Sequence, residues 1–231
     1  MPAVKKIPKR HHPKGFEILH EDRDIIVGNK AAGFLTVSAK WEREKTIHQA
    51  LNLYVRKGNS RSSKCVYVVH RLDQGTSGVL IFAKTEPMQM ALKDNWKRTV
   101  KTYYTIVQGR LQKKSATISS YLTEDEDYVI HSSQDSVKGK LSHTEYEVIK
   151  EAGKFSLLKI NLLTGRKNQI RVHMAEQGTP IVGDAKYGKG KNPYLLLHAA
   201  SLAFDHPFSH ERLTIVAQVP DYFRQVVDYA Y

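Results

Sequence analysis

The sequence is almost without cysteine: Cys65 is the one such residue among 231. A lone thiol excludes an intramolecular disulfide framework and any zinc site built from several cysteines. It fits a reducing compartment. Long apolar runs are missing too. No stretch approaches the roughly 18–20 apolar residues that a helix needs to cross a bilayer. Met1–Lys14, although basic, has no apolar core of the kind a secretory signal carries. A soluble, cytoplasmic protein is therefore expected. Acidic residues are in short supply: 23 Asp+Glu face 36 Lys+Arg, a formal net charge of +13. Such an excess draws polyanions by long-range attraction, and nucleic acid is the commonest of them. An acidic membrane surface would call for a long basic amphipathic helix, and no such pattern is present.

What is there reads as globular. Hydrophobic residues make up 41% of the chain, and the length suffices for one sizeable core or for two lobes sharing one sheet. Residues 1–15 are expected to be a flexible basic arm, with Lys5, Lys6, Lys9, Arg10 and Lys14 interrupted by Pro2, Pro8 and Pro13. An RNA phosphate contact and a solvated tail account for it equally well. Residues 16–231 show no internal repeat, low-complexity segment or composition break, and read as a single domain.

Strand patterns are expected at 16–19, 25–28, 34–37, 66–69, 79–83, 101–107, 116–122, 144–149, 155–161, 195–198, 202–204 and 213–219. Helices are expected after the Thr46 cap, with Gly58 as the stop, from Thr85 and Pro87 to about Arg98, near 167–177 before Gly178, and after Pro220. Strands mostly follow strands. That argues for an α+β fold with a mixed, largely antiparallel sheet and flanking helices, and against a doubly wound parallel one.

The most informative stretch is Val69-His70-Arg71-Leu72-Asp73-Gln74-Gly75-Thr76-Ser77-Gly78, between two apolar strands. A loop in that place sets its side chains at the rim of a sheet, where sites are often built. Asp73 stands two residues after a permanent cation, Arg71, which favours its ionised form. An ionised carboxylate there can act as a nucleophile or stabilise a cationic sugar. Gly75 and Gly78 permit tight turns, and the Thr76 and Ser77 hydroxyls can bond locally. On spacing alone the same residues describe an ordinary turn.

An ordered set of motifs changes that weighting. His70-Arg71-Leu72-Asp73 followed by Thr76-Ser77-Gly78 resembles the signature of the RluA-type pseudouridine synthases. Lys101-Thr102-Tyr103 with Val107 and Gly109 is similar to the family's second motif. Thr164-Gly165-Arg166-Lys167-Asn168-Gln169-Ile170-Arg171-Val172-His173 resembles the third, continued by Pro180–Asp184 and Tyr187-Gly188. Leu197-His198-Ala199 and His206-Pro207 resemble the closing segment. The match runs in order over roughly residues 16–220, which is far more specific than any one motif. Two departures stand out: Asn168 where the family usually carries His, and Ala31 after Lys30 where it usually carries Pro. No S4-type RNA-binding module is expected before the catalytic domain.

The resemblance implies the pseudouridine synthase fold with a central basic cleft, and isomerisation of uridine to pseudouridine in ribosomal or transfer RNA. It implies Asp73 as the catalytic carboxylate and Arg171 as its ion-pair partner. Tyr103 would pack against the target base, and Arg71 would fill the place of the flipped nucleotide. The neighbours Tyr103 and Tyr104 must face opposite sides of their strand, so only one can serve. The isomerisation is atom-balanced, so no cofactor is expected. RNA is the expected partner, with no membrane and no obligate protein partner, and a monomer is the default.

Other readings fare worse. Gly183–Lys189 fits most of a P-loop, but Gly190 stands where Ser or Thr is needed and Asn192-Pro193 replaces the helix. His206 and His210 are four apart, yet Pro207 intervenes and no Glu follows His206, so metal ligation is not expected. From a different class, a non-catalytic RNA-binding protein that kept the fold would also explain the charge and the arm.

Overall fold

The computed structural model describes residues 11–39, 42, 45–133, 135–189 and 192–231. Residues 1–10, most of the expected basic arm, lie outside them. The chain divides into two compact units. One comprises the chain up to Thr99 with Ser201–Ala217, the other Val100–Ala200 with Gln218–Tyr231.

The first unit is built on β1 (Phe16–Glu21), β2 (Ile25–Lys30), β3 (Tyr67–Val68) and β4 (Ser77–Ala83), with helices α1 (Ile47–Arg56) and α2 (Glu86–Asp94). β1 pairs with β2, and β2 and β3 both pair with β4, all antiparallel. All seven residues of β4 are buried, so neither of its faces meets water. Strand alternation divides them. Val79, Ile81 and Ala83 join a cluster with Ile25, Val27, Val69 and the α2 residues Met88 and Leu92. Phe82, on the other face, meets Phe16 edge-on at 6.0 Å and stacks on the α1 residue His48 at 6.4 Å. Both helices begin on threonine caps: Thr46 accepts from Gln49 N and Thr85 from Met88 N. α1 ends at Lys57, whose φ is 50°, and not at the expected Gly58.

The second unit contains β5 (Val100–Gln108), β6 (Ser115–Glu124), β7 (Ile130–Ser133), β8 (Lys140–Ala152), β9 (Phe155–Leu162), and the helices α3 (Gln169–Glu176) and α4 (Asp221–Arg224). Its strands lie in the order β5-β9-β8-β6-β7, and each neighbouring pair is antiparallel. Ile106, Leu157, Val182, Leu196, Val219, Phe223 and Val227 form its main core. β10 (Leu197–Asp205) gives its first four residues to this unit and the rest to the first, where it pairs antiparallel with β11 (Arg212–Val216). Predominantly antiparallel strands with few helices make the α+β class that the sequence predicts.

Three expectations need correction, and one strand was not expected. Phe34–Val37 is no strand; Leu35 makes one bridge to Thr46. The carbonyls of Leu35 and Thr36 accept from Ile47 N and His48 N, the first donors of α1, which have no partner inside the helix. The second helix stops at Asp94, and a single 3-10 turn, Trp96–Arg98, completes the stretch. The strands expected at 195–198 and 202–204 are one strand, β10, running through the buried Ala199 and Ala200. β7, Ile-His-Ser-Ser, has too few β-formers to be read from sequence; a turn at Asp125–Val129 folds it back onto β6.

The two-sided burial of β4 sets a stability test. Phe82→Ala is expected to cost about 3–5 kcal/mol, with Phe82→Leu costing much less, as measured by urea unfolding.

Candidate active site

The loop between β3 and β4 carries the stretch singled out in the sequence. Its start is fixed by His70, whose ring lies 4.7 Å from Trp96 and whose Nε2 accepts from Ile81 N at 3.3 Å. Arg71 is exposed, Leu72 buried and Asp73 half-buried. A turn closes after Asp73, with Thr76 N donating to the Asp73 carbonyl at 3.1 Å. The loop is thus an ordered turn that leaves the Arg71 side chain exposed and the Asp73 side chain half-buried.

The segment following β2 fastens this loop on both sides of Asp73. The Thr36 hydroxyl, itself buried, donates to Leu72 O at 2.9 Å and accepts from Leu72 N at 3.1 Å. Gly33 N donates to Gln74 O at 2.8 Å, and the Gln74 amide returns a bond to Gly33 O at 3.1 Å. Lys30 is fully buried. Its ammonium donates to Ala31 O, Phe34 O and Gln74 O at 3.0, 2.8 and 3.2 Å. Burial pushes Lys30 down to about 7, while the negative charge of Asp73 works in the opposite direction. The sequence reading names Lys30 only as the residue before the departure at Ala31, and it names no role for Thr36.

Tyr103 and Arg171 belong to the second unit. Tyr103, on β5, is buried. Its neighbour Tyr104 packs on the opposite face against Tyr231, ring centroids 5.2 Å apart, beside Phe223 and Tyr229. Tyr104 is thus committed to an aromatic core. Arg171, on α3, makes a bidentate pair with Asp184, Nε to Oδ2 at 2.7 Å and Nη2 to Oδ1 at 2.8 Å, and lies over the Tyr187 ring at 5.2 Å. Burial tends to raise Asp184, but Arg171 and the backbone N–H groups of Lys186 and Tyr187 outweigh it and hold the carboxyl below its usual range. Asp184 is a partner that the sequence reading does not name.

Polar side chains inside the unit hold α3 in place. Gln169 donates to His143 O and the Thr144 hydroxyl, and accepts from the Thr164 hydroxyl and Arg166 N. His173, fully buried, is bonded to the Thr144 hydroxyl through Nδ1 and to the Ser120 hydroxyl through Nε2, at 2.9 and 3.1 Å. Asn168 precedes the helix at φ 52°, a conformation asparagine tolerates well, and its side chain accepts from the Tyr187 hydroxyl at 3.3 Å.

The P-loop-like stretch is occupied by structure. Gly183 has φ +79°, and a Cβ there would lie 1.8 Å from Tyr194 O. Lys186 donates to Tyr128 O. His206 comes close to Asp22 and Asp24. Its Nδ1 accepts from Phe208 N and Ser209 N, so the neutral ring carries its proton on Nε2, 3.6 Å from Asp22 Oδ2. Among the described residues that Nε2 has no hydrogen-bond partner, and the β1–β2 turn is held instead by Asp22 Oδ1, which accepts from Asp24 N and Ile25 N.

Residues 24–176 match the family model described as RNA pseudouridylate synthase. The chain is 34% identical to the dual-specificity RNA pseudouridine synthase RluA of Vibrio cholerae, over 84% of this chain and 79% of that protein. It is 30% identical to the tRNA pseudouridine synthase C of Vibrio parahaemolyticus, over 93% and 94%. The solved structure of human RNA pseudouridylate synthase domain containing 4 shares the fold, with a TM-score of 0.74 at 22% identity and 89% of each chain covered.

Two outcomes follow from the geometry around α3. Asp184→Asn takes the charge of the bidentate partner away from a guanidinium that is 14% exposed, and is expected to cost about 3–5 kcal/mol in denaturant unfolding. Burial pushes His173 down to about 4. The unfolded chain therefore takes up the proton first, near pH 6.5, and stability is lost as pH falls from 6.5 to 4. The loss is about 3 kcal/mol. His173→Gln should remove that part of the acid sensitivity when unfolding midpoints at pH 7 and pH 4.5 are compared.

Proposed function

The chain belongs to the RNA pseudouridylate synthase family, and on that premise we propose that it isomerises specific uridines of ribosomal or transfer RNA, with Asp73 as the reacting carboxylate. The observation that carries the proposal is the family match, which extends through the Asp73 loop, β5 and α3. The names of two relatives supply the RNA classes: transfer RNA for the Vibrio parahaemolyticus protein, and the ribosomal large subunit for the pseudouridine synthase D of Borreliella burgdorferi.

The reaction breaks the N1–C1′ bond of uridine, turns the uracil, and joins C5 to C1′. C5 gives up its proton and N1 gains one, so composition is unchanged. Asp73 acts at the sugar, as nucleophile at C1′ or as base at C2′, and both routes require the charged carboxylate. A uridine stacked in RNA hides its sugar edge and must be turned out, at a cost on the order of a few kcal/mol. Arg71, exposed beside Asp73, offers a guanidinium to stack in the vacated place. Tyr103 packs on the base, and Arg171 is the second arginine that serves the substrate. The basic residues hold phosphates, including Arg56 at the end of α1 and Lys57, Arg61 and Lys64 of the loop after it. The protein works as a cytoplasmic monomer. Among the described residues no helix is long and apolar enough to cross a membrane.

The test uses ribosomal and transfer RNA tritiated at uracil C5, taken from cells lacking the protein. Tritium leaves C5 as the new bond forms. Asp73→Ala should keep RNA binding and lose conversion by at least ~10⁴-fold, the scale of removing a reacting group. Conversion by that variant at the wild-type rate would falsify the assignment. Binding without conversion by the wild-type protein would favour the non-catalytic reading. Affinity should also fall steeply between 50 and 200 mM salt, in proportion to the phosphates neutralised.

A further inference from the structure

Asp73 sits between two residues whose backbones are held from the same short segment. Before it, the Thr36 hydroxyl bonds both the N–H and the carbonyl of Leu72. After it, the Gln74 carbonyl takes the Lys30 ammonium and Gly33 N. Lys30 has three ammonium protons and three carbonyl partners, so its whole hydrogen-bonding capacity is spent on the turn it leaves and on the Asp73 loop. A buried charge is retained only where it is fully bonded. Ordinary loop closure does not require a buried lysine, because Gly33 N already satisfies the Gln74 carbonyl. Thr36 is likewise buried and bonded to Leu72 by the same hydroxyl atom twice, which pins position and rotation together.

We propose that Lys30 and Thr36 are positioning residues for the reaction: they clamp the backbone on either side of Asp73 and so fix where its carboxylate stands relative to the sugar. The clamp is also electrostatic on one side, since the Lys30 ammonium lies close enough for the Asp73 charge to act on it. The proposal rests on Asp73 being the reacting group. It assigns work to two residues that touch no substrate, and it makes their effect one on turnover, not on binding.

The experiment compares Lys30→Met, Thr36→Val and Thr36→Ser in the full-length protein by tritium release from the same RNA, with kcat and KM separated and thermal unfolding recorded. Misplacement of a reacting group by about 1 Å costs on the order of 100-fold, so kcat should fall by about 10- to 100-fold in Lys30→Met and Thr36→Val. KM for RNA should hold, and Thr36→Ser, which keeps the hydroxyl, should restore most of the rate. Wild-type kcat in folded Thr36→Val overturns the clamp, as does an equal loss in Thr36→Ser and Thr36→Val, or a loss confined to KM. Should Lys30→Met fail to fold, the threonine pair decides. An active Asp73→Ala variant removes the functional reading itself. An inactive Asp73→Ala beside a fully active Thr36→Val leaves that reading standing and removes only the clamp.

Discussion

A positive charge taken wholly out of water has to be met by the protein on every proton it carries, and Lys30 is met in this way. Three carbonyls, from Ala31, Phe34 and Gln74, converge on one ammonium at the end of β2. Two of them belong to the turn after the strand and one to the loop between β3 and β4. That single group therefore joins two segments 44 residues apart in sequence. The joining is strict, because releasing any one carbonyl leaves a buried charged donor unsatisfied, a worse state than a broken neutral bond. The rest of the first unit supports it. β4 is buried on both faces, α1 hangs by its first N–H groups from Leu35 and Thr36, and Thr36 turns its hydroxyl back to Leu72.

The second unit solves a similar problem with a carboxylate. Asp184, 1% exposed, is met by the two nitrogens of Arg171 and by two backbone N–H groups. The anion is fully used, the guanidinium is fixed in plane, and the turn after Gly183 is tied to α3. In both units the charge that matters is held by backbone as much as by side chain. Backbone partners are insensitive to which residues supply them, so such sites need few recognisable letters in the sequence.

This explains what the sequence made legible and what it did not. Asp73, Arg71, Tyr103 and Arg171 are the residues that motif spacing singles out, Tyr103 by its register in the second motif, and the structure adds that Tyr104 is committed to an aromatic core. Caps at Thr46 and Thr85 were legible because a threonine before an apolar periodic run has one economical use. The extended look of Phe34–Val37 misled, because those backbone groups serve a helix end instead of a sheet ladder. The contacts of Lys30 and Thr36 were invisible for a related reason: their partners are carbonyls and N–H groups, which every residue has. Asp184 was hidden inside a stretch that imitates a phosphate-binding loop, where Gly183 in fact accommodates the close passage of Tyr194. β7 was missed because a four-residue strand with two serines carries almost no β signal of its own.

The proposed reaction gives these hidden contacts their weight. An isomerisation that neither gains nor loses atoms needs no outside energy source, so its rate depends on the reacting carboxylate and on where that group is held. A carboxylate on a freely moving loop would meet the sugar in many geometries, few of them productive. Holding the residues before and after it, with one hydroxyl and one ammonium, removes that freedom before RNA arrives. The cost of ordering the loop is then borne by folding, through the buried bonds of Lys30 and Thr36, and need not be drawn from RNA binding. Substrate binding remains free to supply the few kcal/mol that turning out a nucleotide requires. On this view the large excess of lysine and arginine serves the RNA, and the fully buried Lys30 serves the carboxylate.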